Sequence, residues 1–373
     1  MTGLLQADAV QLPVADDSVD LVITSPPYFA LRSYRDGGDH YDGQIGSEAT
    51  PQEFLDALWA VTAECVRVLK PSGSIWVNLG DKYAQRSGQQ QPRDQGGDLK
   101  GSKAGLAFLN RGQEEATFGG TRPKSLMGLP WRYAIGCIDD LGLILRAEVV
   151  WSKPNGLPES VADRVRRSHE QWFHFTLEPH YFSALDEIRE PPNSERPQRT
   201  RALELARELT PQQIAAARAV GVADVGRGAA VQNGVNAAET QRLAAEAKEV
   251  LGGYFREFLG EGSTLGRLPG SVWSIPSEPL RVPDDLGVDH FAAFPQEWPR
   301  RLILGWCPPD GVVLDPFAGT GTVPMVARAL GRTGIGVDLS ADYLRLASWR
   351  VFESGHASKT VARTNGERQG LLL

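Results

Sequence analysis

Gly311-Val312-Val313-Leu314-Asp315-Pro316-Phe317-Ala318-Gly319-Thr320-Gly321-Thr322 runs from a short apolar stretch into a turn with two glycines. The first residues are β-branched and aliphatic, the composition of a buried strand, and the apolar stretch through Leu330 has the length and period of a helix. Thr333-Gly334-Ile335-Gly336-Val337-Asp338 then predicts a second strand ending on an acid. Strand, glycine turn, helix, strand and terminal acid, in that order, make the half of an open α/β sheet that binds a nucleoside-containing ligand at its strand ends. Gly319 and Gly321 let the backbone turn tightly and approach a ligand, and Asp338 can accept hydrogen bonds from ribose hydroxyls. The turn is not the dinucleotide pattern G-x-G-x-x-G and lacks the lysine of a phosphate-binding loop. The early acid Asp315, with no basic residue in the turn, suits a cationic amino-acid moiety better than a pyrophosphate. S-adenosylmethionine carries both an ammonium and a ribose, and the turn points to it as cofactor.

Working outward, a second strand end carries chemistry at the other extreme of the chain. Val19-Asp20-Leu21-Val22-Ile23-Thr24 is a β-branched run that stops at Ser25-Pro26-Pro27-Tyr28. An exocyclic amine of cytosine or adenine is a poor nucleophile because its lone pair is delocalised into the ring. Hydrogen bonds from that amine to the Ser25 hydroxyl and the Pro26 carbonyl would localise the lone pair on nitrogen. Pro26 and Pro27 hold the carbonyl rigidly. Tyr28 offers a face on which an extruded base can stack, offsetting an unstacking cost of about a few kcal/mol. Methylation at cytosine carbon-5 would need a thiolate, usually in a Pro-Cys dipeptide, and Cys65, Cys137 and Cys307 follow Glu64, Gly136 and Trp306.

Between these strand ends, Thr50-Pro51-Gln52-Glu53 predicts a capped helix through about Leu69, and Ser74 to Leu79 a strand, the spacing of a parallel crossover. A helix around Trp131 to Leu141 and strands at Ile144 to Trp151 and Glu170 to Leu177 follow. Residues 83–124, rich in Gly, Gln, Arg and Lys, read as a basic inserted loop. Arg164, Arg166 and Arg167 form the densest basic cluster, and with Arg196 and Arg199 they are the candidate phosphate contacts. Residues 191–273 have helical periodicity, with a capping box at Thr210 to Gln213 and a longer helix from Glu239 to Leu259, and form a helical insertion that is the candidate target-recognition region. The expected core is 1–82, 125–190 and 274–357, and 358–373 is expected to be a disordered tail.

A chain of 373 residues with 41% hydrophobic and 23% charged residues is an ordinary globular composition. No apolar stretch nears the roughly 20 residues of a membrane span, and the N-terminus lacks a signal peptide, so a cytoplasmic protein is expected. Three scattered cysteines with no CxxC pair indicate buried thiols, with neither a disulfide framework nor a zinc or other metal site. The net charge of −7 excludes nucleic-acid binding by global charge and leaves it to local clusters.

Ser25-Pro26-Pro27-Tyr28 resembles the catalytic motif of the DNA amino-methyltransferases that make N4-methylcytosine or N6-methyladenine, and Asp315 to Thr322 resembles their cofactor motif. Catalytic motif first and cofactor motif last is similar to their permuted beta class. The resemblance implies a Rossmann-like, mostly parallel mixed sheet with helices on both faces. It implies S-adenosylmethionine held by Asp8, Phe294, Asp315, Pro316, Phe317, Gly319, Thr320, Gly321, Thr322 and Asp338. Here Asp8 stands where the acid contacting the adenine amino group would stand, and Phe294 in the segment beside the methionine part. It further implies double-stranded DNA as partner, a flipped target base, and a place in restriction-modification beside a cognate endonuclease. In that family a first-position Ser is more typical of cytosine-N4 enzymes. Adenine N6, an RNA or protein-amide substrate, and a catalytically silent DNA-binding protein stay open as alternatives.

Overall fold

The computed structural model describes residues 2–30, 35–36, 39–40, 43–84, 122–156, 159, 161–190, 205–210, 212–214, 216, 237–251, 267–280, 282–283, 286 and 293–353. Most of the loop expected over 83–124, Arg196, Arg199, residues 252–259 and the 358–373 tail lie outside the described residues. The chain divides into two units, Met1–Ile188 with Gly270–Glu367 and Arg189–Pro269 with Arg368–Leu373.

The first unit is built on an eight-stranded sheet. Its strands are β1 (Thr2–Gln6), β2 (Val19–Thr24), β5 (Leu69–Leu79), β6 (Ile144–Ser152), β7 (His169–Thr176), β8 (Val272–Ser274), β9 (Val312–Asp315) and β10 (Thr333–Asp338), in the spatial order β1-β10-β9-β2-β5-β7-β6-β8. A two-stranded ladder of β3 (Arg35–Asp36) and β4 (Asp39–His40) stands apart. From β1 to β5 every pairing is parallel; β7 is antiparallel to both β5 and β6, and β8 parallel to β6. The fold is therefore the mixed, mostly parallel sheet that the motif order implies. Residues 272 and 273, read from sequence as the end of the helical insertion, instead form β8, because the stretch Val272-Trp273 packs its indole into the sheet core.

Helices cover both faces because the strands alternate between two apolar clusters. Val22, Ile75, Val77, Phe173 and Phe175 pack with α1 (Pro51–Val68) and α2 (Leu129–Asp139). Leu21, Ile23, Trp76 and Trp172 face the other way, towards α4 (Glu297–Trp306) and α5 (Thr322–Ala329). Fully burying each such side chain contributes about 1.5–3 kcal/mol. Helix α1 begins where the sequence directs it: Thr50 Oγ1 accepts from Glu53 N at 3.2 Å, Glu53 returns a carboxylate oxygen to Thr50 N at 2.9 Å, and Pro51 opens the first turn. A last helix, α6 (Ala341–Ser348), follows β10 and is capped by Ser340.

Chain direction sets the position of the site. From β2 the chain crosses through α1 to β5 on one side, and from β9 it crosses through α5 to β10 on the other. Neighbouring strands that diverge in this way leave a crevice outside their carboxyl ends.

In the second unit, α3 (Ala237–Leu251) presents Ala247 and Leu251 to Ala206 and Leu209. Thr210 and Gln213 exchange capping-box hydrogen bonds of 2.9 and 3.2 Å. Among the described residues no helix is long and apolar enough to cross a membrane. The three cysteines are buried free thiols, and burial pushes Cys137 and Cys307 up to about 12.

Candidate active site

Strands β2 and β9 end side by side, and a buried hydrogen bond ties the ends together: Thr24 Oγ1 donates to Asp315 Oδ1 at 2.9 Å. Beyond that bond the residues that follow the two strands, Ser25 and Pro316, both line one cleft. The cleft offers about 850 Å³ of open space, mouth included, and is lined by Ala7, Asp8, Ala9, Ser25, Pro27, Gly43, Gln44, Ile45, Ala293, Phe294, Pro316, Phe317, Ala318, Gly319, Thr320, Thr322, Asp338, Leu339 and Tyr343.

The glycine turn needs its glycines. Gly319 and Gly321 have φ of +47° and +72°, and a Cβ on Gly321 would lie 2.9 Å from Ala347 Cβ. The turn is pinned from three directions. Gly319 N donates to Asp338 Oδ2 at 2.9 Å, Ala318 N to Val337 O at 2.9 Å, and the buried Arg350 guanidinium donates to Thr320 Oγ1 and Thr322 Oγ1, each at 2.6 Å. Burial lowers Arg350 to about 10. Asp338 also accepts from Ser340 N at 2.9 Å through Oδ1.

Asp8 lines the cleft just beyond the end of β1, which pairs with β10 in parallel so that Gln6 faces Asp338. Its Oδ1 accepts from Val10 N at 3.1 Å. Phe294 stands edge-on to Trp172, with ring centroids 5.8 Å apart.

Asp315 is placed differently from the sequence reading, which offered its charge to a ligand ammonium. The side chain is 1% exposed and does not line the cleft; its Oδ1 is taken by the Thr24 hydroxyl and by Phe317 N at 3.1 Å. Burial raises this carboxyl to about 7. Its role is to hold the turn. Gly321 likewise faces α6, and Pro26 lines a small interior cavity with Thr24, Tyr133 and Phe317.

On the catalytic-loop side, Ser25 Oγ donates to Asn78 Oδ1 at 3.1 Å. The Tyr28 hydroxyl lies 2.8 Å from Asn78 Oδ1 and 2.9 Å from Glu170 Oε2. Glu170 is ion-paired with Lys153, whose ammonium sits 4.0 Å over the Trp151 ring. Gly80 leaves room for Tyr28, since a Cβ there would lie 2.7 Å from the ring. Gly46, at φ +96°, gives the same close approach to the Tyr28 carbonyl.

The basic segment between β6 and β7 lies at this same end of the sheet. Arg164 pairs with Glu159 at 2.7 Å and lies 3.9 Å over the Tyr83 ring, Arg166 donates to Gly156 O at 3.2 Å, and Arg167 donates to Asp81 O. Arg164 and Arg167 thus brace the rim as well as contributing charge to it.

Sequence reading did not find Gln44, Leu339, Tyr343, Asn78, Glu170 or Arg350. Gln44 and Leu339 reach the cleft from turns that carry no pattern, and Tyr343 from the first turn of α6. Asn78 left a signal: it is the polar residue in the apolar run from Ile75 to Leu79, and a polar group at a buried strand position needs a partner.

Comparison with known proteins agrees with this geometry. A family model described as DNA methylase, of the N6/N4 type, matches residues 19–348. The Type II methyltransferase M.XycI of Xanthomonas campestris pv. cyanopsidis is 31% identical over 351 residues, covering 93% of this chain and 87% of its own. M.Cfr9I of Citrobacter freundii, also a Type II methyltransferase, is 30% identical over 351 residues with the same coverage, 93% and 87%. Among solved structures, the cytosine-N4-specific PvuII DNA methyltransferase superposes with a TM-score of 0.55 at 17% identity, covering 98% of this chain and 93% of its own, a likeness of fold.

Proposed function

The chain belongs to the N6/N4 DNA methylase family, and from that premise we propose that this DNA amino-methyltransferase modifies N4 of a flipped cytosine in duplex DNA. S-adenosylmethionine is the methyl donor, and when bound it supplies an electrophilic methyl group on a sulfonium. The observation that carries the reading is the shared cleft: Ser25 and Pro27 line the same space as Pro316 to Thr320 and Asp338.

Asp338 would hold the ribose hydroxyls, Asp8 the adenine amino group, and Phe294 with the turn from Pro316 to Thr322 would enclose the rest of the cofactor. Asp315 keeps that turn against β2. Ser25 Oγ and the Pro26 carbonyl accept the two amine hydrogens of the target base, and Tyr28 stacks on its ring. Both acceptors would draw the amine hydrogens out of the ring plane and localise the lone pair on nitrogen, so that the N–C bond can form as the S–C bond breaks, with the surplus amine proton leaving to solvent. Arg164, Arg166 and Arg167, on the segment between β6 and β7, are assigned contacts to the phosphates of the duplex, and Arg196 and Arg199 the same role.

Cytosine is favoured over adenine by Ser25 at the first loop position. Kinship with Type II methyltransferases supports pairing with an endonuclease that cuts the same unmodified sequence. The test is direct. Purified protein, labelled S-adenosylmethionine and genomic DNA are incubated, the DNA is digested to nucleosides, and the label is identified. Label in N4-methylcytosine is expected; label in N6-methyladenine would overturn the choice of base.

A further inference from the structure

We infer that Asn78 is a positioning residue for methyl transfer: it fixes Ser25 as a hydrogen-bond acceptor and, with Glu170, anchors the Tyr28 ring. The inference rests on the amine-transfer reading above. A serine hydroxyl can donate one hydrogen or accept through two lone pairs, and its proton rotates to suit its neighbours. For Ser25 to accept from a base amine, its own proton must point elsewhere. Asn78 Oδ1, 3.1 Å away, accepts the hydrogen bond from that hydroxyl and leaves the Ser25 lone pairs free.

The direction of this bond is set by the strand pairing. Asn78 lies on β5 opposite β7, 1% exposed, and its Nδ2 donates to Gln171 O at 3.0 Å. Rotating the amide by half a turn would set Asn78 Oδ1 against that carbonyl, acceptor against acceptor. The amide oxygen is therefore committed to the catalytic loop. It meets the Tyr28 hydroxyl as well, at 2.8 Å, and that hydroxyl shares its single proton between Asn78 and Glu170. Lys153 holds Glu170 in place from the other side. A neutral amide at this point accepts from Ser25 without taking a proton, so it orients the hydroxyl and does not act as a base.

The experiment measures kcat, KM for DNA and the cofactor Kd for wild type, Asn78→Ala, Ser25→Ala and the double variant, on genomic DNA with labelled S-adenosylmethionine. Asn78→Ala is expected to lower kcat about ten- to a hundredfold, the size of one or two lost hydrogen bonds at a transition state. The cofactor Kd should stay within about twofold, because Asn78 is not part of the cofactor wall. In the Ser25→Ala background the same substitution should cost clearly less than in wild type, the remaining loss being what Asn78 contributes through Tyr28, since residues that act as a unit are non-additive. An equal loss in both backgrounds, or an unchanged kcat, overturns the inference. Should Asn78→Ala not fold, as judged by thermal melting, the cycle is run with Asn78→Val, whose branched side chain suits a strand. A wild-type chain that transfers no methyl overturns the amine-transfer reading and this inference with it; an active wild type with additive losses overturns this inference alone.

Discussion

Thr24 and Asp315 join the two halves of the site through one buried hydrogen bond, and the bond has a measurable consequence. Burial raises the Asp315 carboxyl from 3.8 to about 7. Between those values the folded chain holds a proton that the unfolded chain has released, so stability falls as pH rises through that window and levels off above it. Asp315→Asn removes the slope. Its urea midpoint should gain on wild type as pH rises from about 5 to about 7, and a difference constant over that range would contradict the assignment. Tyr28 separates two contributions. Tyr28→Ala should retain cofactor binding and lose most transfer, whereas Tyr28→Phe, which keeps the ring but not the hydroxyl held by Asn78 and Glu170, should fall between that variant and wild type in kcat. Phe activity equal to wild type would leave stacking as the sole role. Asp338→Asn should weaken cofactor binding by about tenfold or more, the size of a charge-assisted hydrogen bond. Titration calorimetry gives the constant, and an unaltered value would remove Asp338 from the ribose contact. Residue identities were legible where chemistry restricts them, as in Ser25 to Tyr28 and Asp315 to Thr322. Asn78 and Glu170 were not, since their roles exist only once β5 and β7 bring them under the loop.

The elements follow local rules closely. Thr50, Pro51 and Glu53 start α1 by capping chemistry that depends on residues within one turn, and β9, α5 and β10 follow from a strand run, a glycine turn and an apolar helix. Sheet order is a different matter. The antiparallel β7 lies between β5 and β6, a placement decided by which faces Trp172, Phe173 and Phe175 bury, and no short pattern states it. The strand β8 escaped notice for a similar reason: three residues carry too little periodicity to read. Packing between α1 and α2 is tight at one position, where a methyl group on Gly136 would enter the Trp59 ring. Gly136→Ala should therefore destabilise the core by about 1–3 kcal/mol despite the better helix propensity of alanine. Denaturant unfolding measures this, and a variant as stable as wild type would mean that the two helices separate at little cost.

At the scale of the whole molecule, the two motifs that carry the reading sit near opposite ends of the chain and meet because β2 lies beside β9. The permuted order was legible from the motifs, and the parallel pairing of β1 with β10 brings Asp8 to the same cleft. The fold brings Ser25 and Pro27 to the same cleft as Pro316 to Thr320 and Asp338, and methyl transfer is proposed to occur there. Single-turnover transfer of a labelled methyl group from bound S-adenosylmethionine to duplex DNA, compared between wild type and Ser25→Ala, tests it most directly. Ser25→Ala is expected to bind the cofactor as wild type does and to transfer about a hundredfold more slowly, the range for a lost contact to developing charge. Transfer within about threefold of the wild-type rate, less than about 1 kcal/mol of barrier, would contradict the account.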